Sequence, residues 1–245
     1  MIKIVAYISS RNRKSNTFKY ANQIIQKLEH YDNVQATVYT PNNLQIKPCQ
    51  GCQSCFSKGF CWQKDDLDKL LKKISEADIF IIGSPVYLHS MNSDCKALFD
   101  RMAYQSHFLS LQGKRTVVIS TCSSNGHNTV INEISKIIQI LGGSVITKSN
   151  AAWAIPNQLN NLEWLENKTD DIAKDIFESL NGSFKISQFT QNIFETYRNK
   201  MKHFVSLDLS NHEVEFWKNT GMINYDSFQE YCNSKSSMIN RIENS

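Results

Sequence analysis

Short apolar runs alternate with longer amphipathic segments through the first 150 residues of the chain. Segments that have the length of strands fall at residues 2–8, 34–39, 79–82, 116–120 and 144–147, of which 34–39 alternates apolar and polar residues. Between them, apolar residues recur at helical spacing, as in the segment that follows residue 17. Strands that alternate with helices in this way form a parallel sheet covered on both faces. The pattern therefore predicts a doubly wound, five-stranded α/β domain over residues 1–150.

After residue 150 the pattern changes from strands to helices. Amphipathic segments cover residues 159–180, 186–205 and 211–219. This part of the chain is too rich in aromatic residues to be a disordered tail. These residues are Trp153, Trp164, Phe177, Phe184, Phe189, Phe194, Tyr197, Phe204, Phe216, Trp217, Tyr225, Phe228 and Tyr231. They need a surface to cover, so residues 151–245 are predicted to form a helical, aromatic-rich C-terminal extension.

Three segments that carry candidate binding residues follow predicted strands, two of them polar and one with a proline, an aromatic and two hydroxyls. The first, residues 9–17, contains no apolar residue and precedes a helix, whose N-terminus offers backbone N–H donors and a positive dipole end to a phosphate. It is not a Walker loop and has no GxGxxG pattern, which argues against ATP and a Rossmann-type dinucleotide. The other two, residues 84–90 and 121–127, follow the third and fourth strands. Open α/β sheets bind ligands at this carboxyl edge.

The long connection after the second strand contains a cysteine-rich loop at residues 48–64. Its cysteines, with the spacing CxxCxxCx5C, are Cys49, Cys52, Cys55 and Cys61. Four thiolates in so short a segment can hold a 4Fe-4S cluster. Structural zinc sites more often pair two CxxC units across a longer loop. Zinc, catalytic thiols and inert thiols nevertheless remain open as alternatives.

The composition is that of an ordinary soluble globular protein, with 20% charged and 41% hydrophobic residues. The net charge of +4 comes without a Lys/Arg-rich run, so no nucleic-acid partner is predicted. No apolar run approaches the roughly 18 residues of a membrane span, and no signal peptide precedes the first strand. We therefore expect a cytoplasmic protein without a membrane partner. The cytoplasm is reducing, so we expect its seven cysteines to bind metal or act as reactive thiols rather than to form disulfides.

The third strand and the helix after it carry a recognisable motif. The pattern is Gly83-Ser84-Pro85-x-Tyr87, followed by Lys96 and then by Asp100-Arg101. It resembles the flavodoxin-like NAD(P)H-dependent FMN reductases, and the compact cysteine motif resembles their iron-sulfur flavoprotein branch. The resemblance implies the flavodoxin-like strand order 2-1-3-4-5, with the switch point between strands one and three.

The same resemblance implies which residues contact the flavin. The loop after the first strand would hold the FMN phosphate through Ser10, Ser15, Asn16 and Thr17. The motif after the third strand would contact the flavin through Pro85, Val86, Tyr87 and Leu88, with Tyr87 packing on the ring. The loop after the fourth strand would touch the ring through Thr121, Ser123, Ser124 and Gly126. No catalytic residue is predicted, and Lys96, Asp100 and Arg101 are expected to be structural.

The function that follows is that of an FMN-dependent NAD(P)H oxidoreductase. Electrons would pass from the nicotinamide through the flavin to a small organic acceptor or to an iron-sulfur cluster. Two other functions remain open: a flavodoxin-like electron carrier without its own substrate, and a metal-binding regulatory protein on the same scaffold. Steady-state NAD(P)H oxidation with added FMN separates the first from both others.

We also expect a two-fold homodimer, because flavodoxin-like reductases commonly complete their sites by pairing subunits. Residues 186–231 would then pack across the partner near its FMN. Phe189, Tyr197 and Trp217 are the expected aromatic anchors of that interface. In the alternative, the extension folds back on its own sheet.

Overall fold

The computed structural model describes residues 1–182 and 185–243, with side chains described as far as residue 235 apart from that gap. Phe184, one of the aromatic residues of the extension, lies outside the described residues. The strands are β1 Ile2–Ile8, β2 Val34–Tyr39, β3 Ile79–Tyr87, β4 Ser90–Met91, β5 Arg115–Cys122 and β6 Ser144–Ala152. The helices are α1 Asn16–Tyr31, α2 Ser54–Lys58, α3 Leu67–Glu76, α4 Ser93–Met102, α5 His127–Ile140, α6 Leu162–Asn181, α7 Gln188–Ser206, α8 His212–Asn219 and α9 Phe228–Glu243.

The long strands form one parallel sheet in the order β2-β1-β3-β5-β6, and the short β4 pairs antiparallel with β3. With β4 set aside, this is the predicted order 2-1-3-4-5, so the predicted fold class is confirmed. The order reverses between β1 and β3, which places the switch point where the sequence predicted it.

Helices cover both faces of the sheet because side chains alternate along each strand. On β1, Ile4, Ala6 and Ile8 pack toward α1 and α6. The residues between them, Val5 and Tyr7, pack toward α3, α4 and α5. Both faces are therefore buried, as the continuous apolar runs of the strands indicated.

Strand β3 is longer than predicted, and this corrects the placement of Pro85, Val86 and Tyr87 in a loop. Proline lacks the N–H that a ladder needs, which favours a strand end. In the structure, the pairing of β3 with β1 stops at Gly83, and beyond it β3 pairs with β5 as far as Pro85. Val86 and Tyr87 then pair with β4 in a hairpin. The predicted ring-contacting segment is thus one arm of this hairpin.

Two other strand and helix limits also differ from the prediction. Strand β6 continues to Ala152 because it pairs with β5 through Cys122, so residue 150 falls inside a strand. Helix α1 begins at Asn16, where Ser15 caps it, rather than at residue 18. Helices α2 and α9 were not predicted.

The C-terminal extension has its own buried cluster, which packs onto Leu109 of the α/β domain. Trp217 is fully buried in this cluster, and its Nε1 donates a hydrogen bond to the carbonyl oxygen of His107 at 2.9 Å. The prediction that Trp217 anchors a subunit interface is therefore wrong, because its own chain covers it. Phe189 is 40% exposed and Tyr197 lies against the ring of His107. The dimer itself stays a prediction.

Candidate active site

The loop after β1 ends at the N-terminus of α1. Ser15 caps the helix by accepting a hydrogen bond from the backbone N–H of Phe18 at 3.2 Å. The first-turn N–H groups, those of Asn16 and Thr17, have no acceptor within the helix. The first turn contains no acidic residue. The helix start can therefore accept an anion through its N–H groups and its dipole.

The rest of this loop is fastened to the strand and helix beside it. The backbone N–H and the hydroxyl of Ser9 both donate to the carbonyl oxygen of Gly83, at 2.9 and 3.0 Å. The buried side chain of Asn92 donates to the carbonyl oxygen of Ser9. Arg11 donates twice to Asp94, at 2.9 and 2.8 Å. These contacts fix the loop at the switch point without using the helix N-terminus.

Thr17, in the first turn of α1, and Thr121, near the end of β5, contact each other. Their hydroxyl oxygens lie 2.6 Å apart, and both residues are buried. The hydroxyl of Thr17 is thus bonded inside the protein, which leaves its backbone N–H as the donor at the helix start. This bond brings together two of the three predicted binding segments.

The hairpin of β3 and β4 supplies the third segment. Its two turn residues, Leu88 and His89, have positive φ of 49° and 60°, which is unusual for residues other than glycine. Tyr87 and Leu88 are 61% and 99% exposed. Val86 lies directly against Gly126, where an added Cβ would stand 2.7 Å from Val86 Cγ1. The hairpin therefore rests on the loop after β5 and presents Tyr87 at the edge of the site.

The loop after β5 is open at Ser123 and Ser124, whose side chains are exposed. The carbonyl oxygen of Ser123 accepts hydrogen bonds from the N–H groups of Ala154 and Ile155, both at 3.1 Å. The segment after β6 is thus hydrogen-bonded to this loop and fixes its position. The three segments thus lie together at the carboxyl edge of the sheet.

Asn92 is the residue at this edge that the sequence prediction missed. Its side chain caps α4 by accepting from the N–H of Cys95 at 3.1 Å. An asparagine just before a helical segment signals such a cap. Its bond to Ser9, 83 positions away in the chain, has no local sequence signal.

Gly126 provides a test of the packing between hairpin and loop. Alanine there would take φ of +84° and meet Val86, whereas alanine at Gly51 would take φ of +65° and meet nothing within 4 Å. We expect Gly126→Ala to lower the free energy of unfolding by about 1–3 kcal/mol more than Gly51→Ala. Urea denaturation of both variants measures the difference. Equal losses would show that the hairpin does not press on Gly126.

The connection that leads to the cysteine-rich loop leaves the sheet at the carboxyl end of β2. Asn42, in this connection, donates from its side chain to the carbonyl oxygen of Arg11. The connection is thus attached to the edge of the sheet at which α1 begins. In the loop itself all four cysteines are free; Cys49 and Cys52 are exposed, and Cys55 and Cys61 are half-buried.

The thiols of this loop influence one another. The N–H of Ser54, and after it the indole of Trp62 at 3.3 Å, lower the pKa of Cys52. Burial raises the pKa of Cys55, and the charges of the other three loop cysteines add to this. The four thiols stand on one short segment, residues 49–61.

A donor set of four neighbouring thiols fits a 4Fe-4S cluster, which takes one thiolate on each iron. A single metal ion needs ligands that converge on one point. In the part of the chain that the structure describes, no three His, Cys, Asp or Glu side chains do so. The choice between a cluster and zinc at these thiols stays a prediction.

The strand order and the three loops at the switch point define the class of flavodoxin-like proteins. Within this class, the chain belongs to the NADPH-dependent FMN reductase family, whose sequence model matches residues 2–158. The predicted family is thereby confirmed. The protein is an NAD(P)H-dependent flavin oxidoreductase with FMN as its cofactor.

Two relatives support the predicted branch. The chain is 24% identical over 228 residues to an iron-sulfur flavoprotein of Archaeoglobus fulgidus, which covers 91% of this chain and 100% of that protein. A second iron-sulfur flavoprotein of the same organism is 27% identical over 207 residues, covering 80% and 100%.

A solved structure supports the fold. RosB, with the bound intermediate 8-demethyl-8-formylriboflavin-5'-phosphate, matches with a TM-score of 0.58 at 12% identity, over 83% of this chain and 88% of that one. No helix among the described residues has the length and apolar character of a membrane span.

Proposed function

We propose that the protein transfers electrons from NAD(P)H through FMN to an iron-sulfur cluster on the cysteine-rich loop, and from there to a small organic acceptor. The observation that carries this proposal is the position of the loop. The connection that leads to the loop leaves the carboxyl edge of β2 and is bonded through Asn42 to the segment that leads into α1. The start of that connection and a flavin phosphate at α1 would therefore share one edge of the sheet.

In this proposal different residues bind the phosphate and the ring of the flavin. The N–H groups of Asn16 and Thr17 hold the phosphate, with Ser10 beside them. Tyr87 packs on the flavin ring from the hairpin. Bound FMN supplies the ring that accepts hydride from the nicotinamide. Backbone N–H groups of the hairpin and of residues 123–126 stabilise negative charge on that ring.

Three independent features support the cluster. The loop carries four free cysteines within residues 49–61, the pKa of Cys52 is lowered by hydrogen bonds, and relatives that span most of the chain are named iron-sulfur flavoproteins. A thiolate, rather than a thiol, is the form that ligates iron. The lowered pKa of Cys52 favours that form.

The cluster is tested by metal and sulfide analysis of protein purified without air. We expect iron and acid-labile sulfide in the unaltered protein, and loss of both in Cys52→Ser and Cys55→Ser. Cys232→Ala, which changes a buried thiol outside the loop, serves as the control and should retain the cluster. Protein that contains only zinc, or no metal after reconstitution, would rule out the cluster and leave the flavin enzyme intact.

A further inference from the structure

A buried ion pair lies at the base of the cysteine-rich loop. Arg101, from α4, donates from Nη1 to Asp65 Oδ2 at 2.5 Å and from Nη2 to Asp65 Oδ1 at 3.3 Å. Their side chains are 1% and 3% exposed. Because solvent does not screen a buried pair, its charges act strongly on nearby groups.

The pair ties the two ends of the loop together. Nη1 of Arg101 also donates to the carbonyl oxygen of Lys47 at 2.9 Å, and Asp65 accepts from the N–H of Lys47 at 2.9 Å. Lys47 precedes the first loop cysteine and Asp65 follows the last. A helix of the flavin-binding domain therefore holds both ends of the segment that carries the thiols.

Arg101 also faces a thiol of the loop. Cys61, the last cysteine of the loop, stands four positions before Asp65 and close to the guanidinium of Arg101. Nε of Arg101 is buried and has no hydrogen-bond partner among the described residues. A buried N–H without an acceptor is costly, and a cluster sulfur near Cys61 would be a suitable acceptor.

We propose that Arg101 is a positioning residue of the cysteine-rich loop, which holds Cys61 and raises the reduction potential of the cluster there. This inference rests on the proposed function. Reduction adds one negative charge to a cluster, so a buried cation beside it favours the reduced form. Asp65 has the opposite sign and opposes Arg101.

The two members of the pair therefore give shifts of opposite sign, which a purely structural role would not produce. In Arg101→Gln the cation is removed, and at a fixed solution potential we expect the ratio of reduced to oxidised cluster to fall about tenfold. That change equals about 59 mV for one electron. In Asp65→Asn the cation loses its counter-charge, and we expect the ratio to rise.

The experiment is a redox titration of the full-length protein, purified without air and followed by electron paramagnetic resonance. The flavin potential in the same sample is an internal reference. Lys96→Gln removes an exposed cation from the same helix and should leave the cluster potential unchanged. Arg101→Lys keeps the charge and should stay closer to the unaltered protein than Arg101→Gln.

Opposite shifts in Arg101→Gln and Asp65→Asn support the inference. Unchanged potentials, or shifts of the same sign, in a protein that holds its cluster overturn it and leave the proposed function standing. If Arg101→Gln does not fold, the inference is tested by Asp65→Asn alone. An unchanged cluster potential in Asp65→Asn then overturns it. Unaltered protein without iron and sulfide overturns both this inference and the proposed cluster.

Discussion

Replacement of Asn16 by aspartate is expected to weaken FMN binding by about a thousandfold without loss of fold stability. The side chain would gain a negative charge at the N-terminus of α1, where the phosphate is predicted to bind. Two charges about 4 Å apart near a protein surface repel by about 4 kcal/mol, and each 1.4 kcal/mol changes an affinity tenfold. An acidic residue in the first turn of a helix itself stabilises the helix, by about 0.3–1 kcal/mol. Affinity and stability should therefore move in opposite directions.

Calorimetric titration with FMN and urea denaturation measure the two effects. Asn211→Asp is the control, because Asn211 also stands at the start of a helix, α8, and caps it by accepting from the N–H of Val214. That variant should keep its FMN affinity. An unchanged affinity in Asn16→Asp would place the phosphate away from α1.

Trp217→Ala is expected to lower the free energy of unfolding by about 3–5 kcal/mol. Trp217 is fully buried, it stacks on Phe194 with ring centroids 5.5 Å apart, and it pairs with the carbonyl oxygen of His107. Alanine would leave a cavity and an unpaired carbonyl oxygen. A domain is stable by only about 5–15 kcal/mol, so this loss is large.

Urea denaturation at two protein concentrations tests this account of the extension. Because its own chain buries Trp217, the loss should be the same at both concentrations. Phe189→Ala, at a residue 40% exposed on α7, should have a much smaller effect. If Trp217→Ala lowers the free energy of unfolding only at the higher protein concentration, Trp217 belongs to a subunit interface.

The fold was predictable because β1 and β3 carry continuous apolar runs, which have few alternatives to the centre of a parallel sheet, and because strand-length and helix-length segments alternate along the chain. The end of β3 was not predictable in the same way. Pro85 favours a strand end, and β4 is only two residues long, so its pairing with Val86 leaves no periodic signal.

The candidate site was predictable at the level of segments, because polar segments followed the predicted first and fourth strands and a Pro85-x-Tyr87 motif followed the predicted third. The contacts that fix these loops were not. Thr17 bonds to Thr121 and Asn92 bonds to Ser9, across 104 and 83 positions of sequence. Such bonds depend on strand order and register rather than on neighbouring residues. The ion pair of Arg101 and Asp65 could likewise not be predicted, because it depends on how α4 packs against the cysteine-rich loop.

The role of the aromatic extension depended on information that a sequence pattern does not contain. Amphipathic helices need an apolar partner surface, but the pattern is the same whether that surface belongs to the same chain or to another. The burial of Trp217 against His107 resolves this for one residue.

Anaerobic mixing of NADH or NADPH with the FMN-loaded protein tests the central claim most directly. The flavin absorbance near its visible maximum and the paramagnetic signal of the cluster are followed in the same sample. The account predicts that one of the two nicotinamides bleaches the flavin and that the signal of a reduced cluster then appears. Flavin that remains oxidised with both nicotinamides would contradict it.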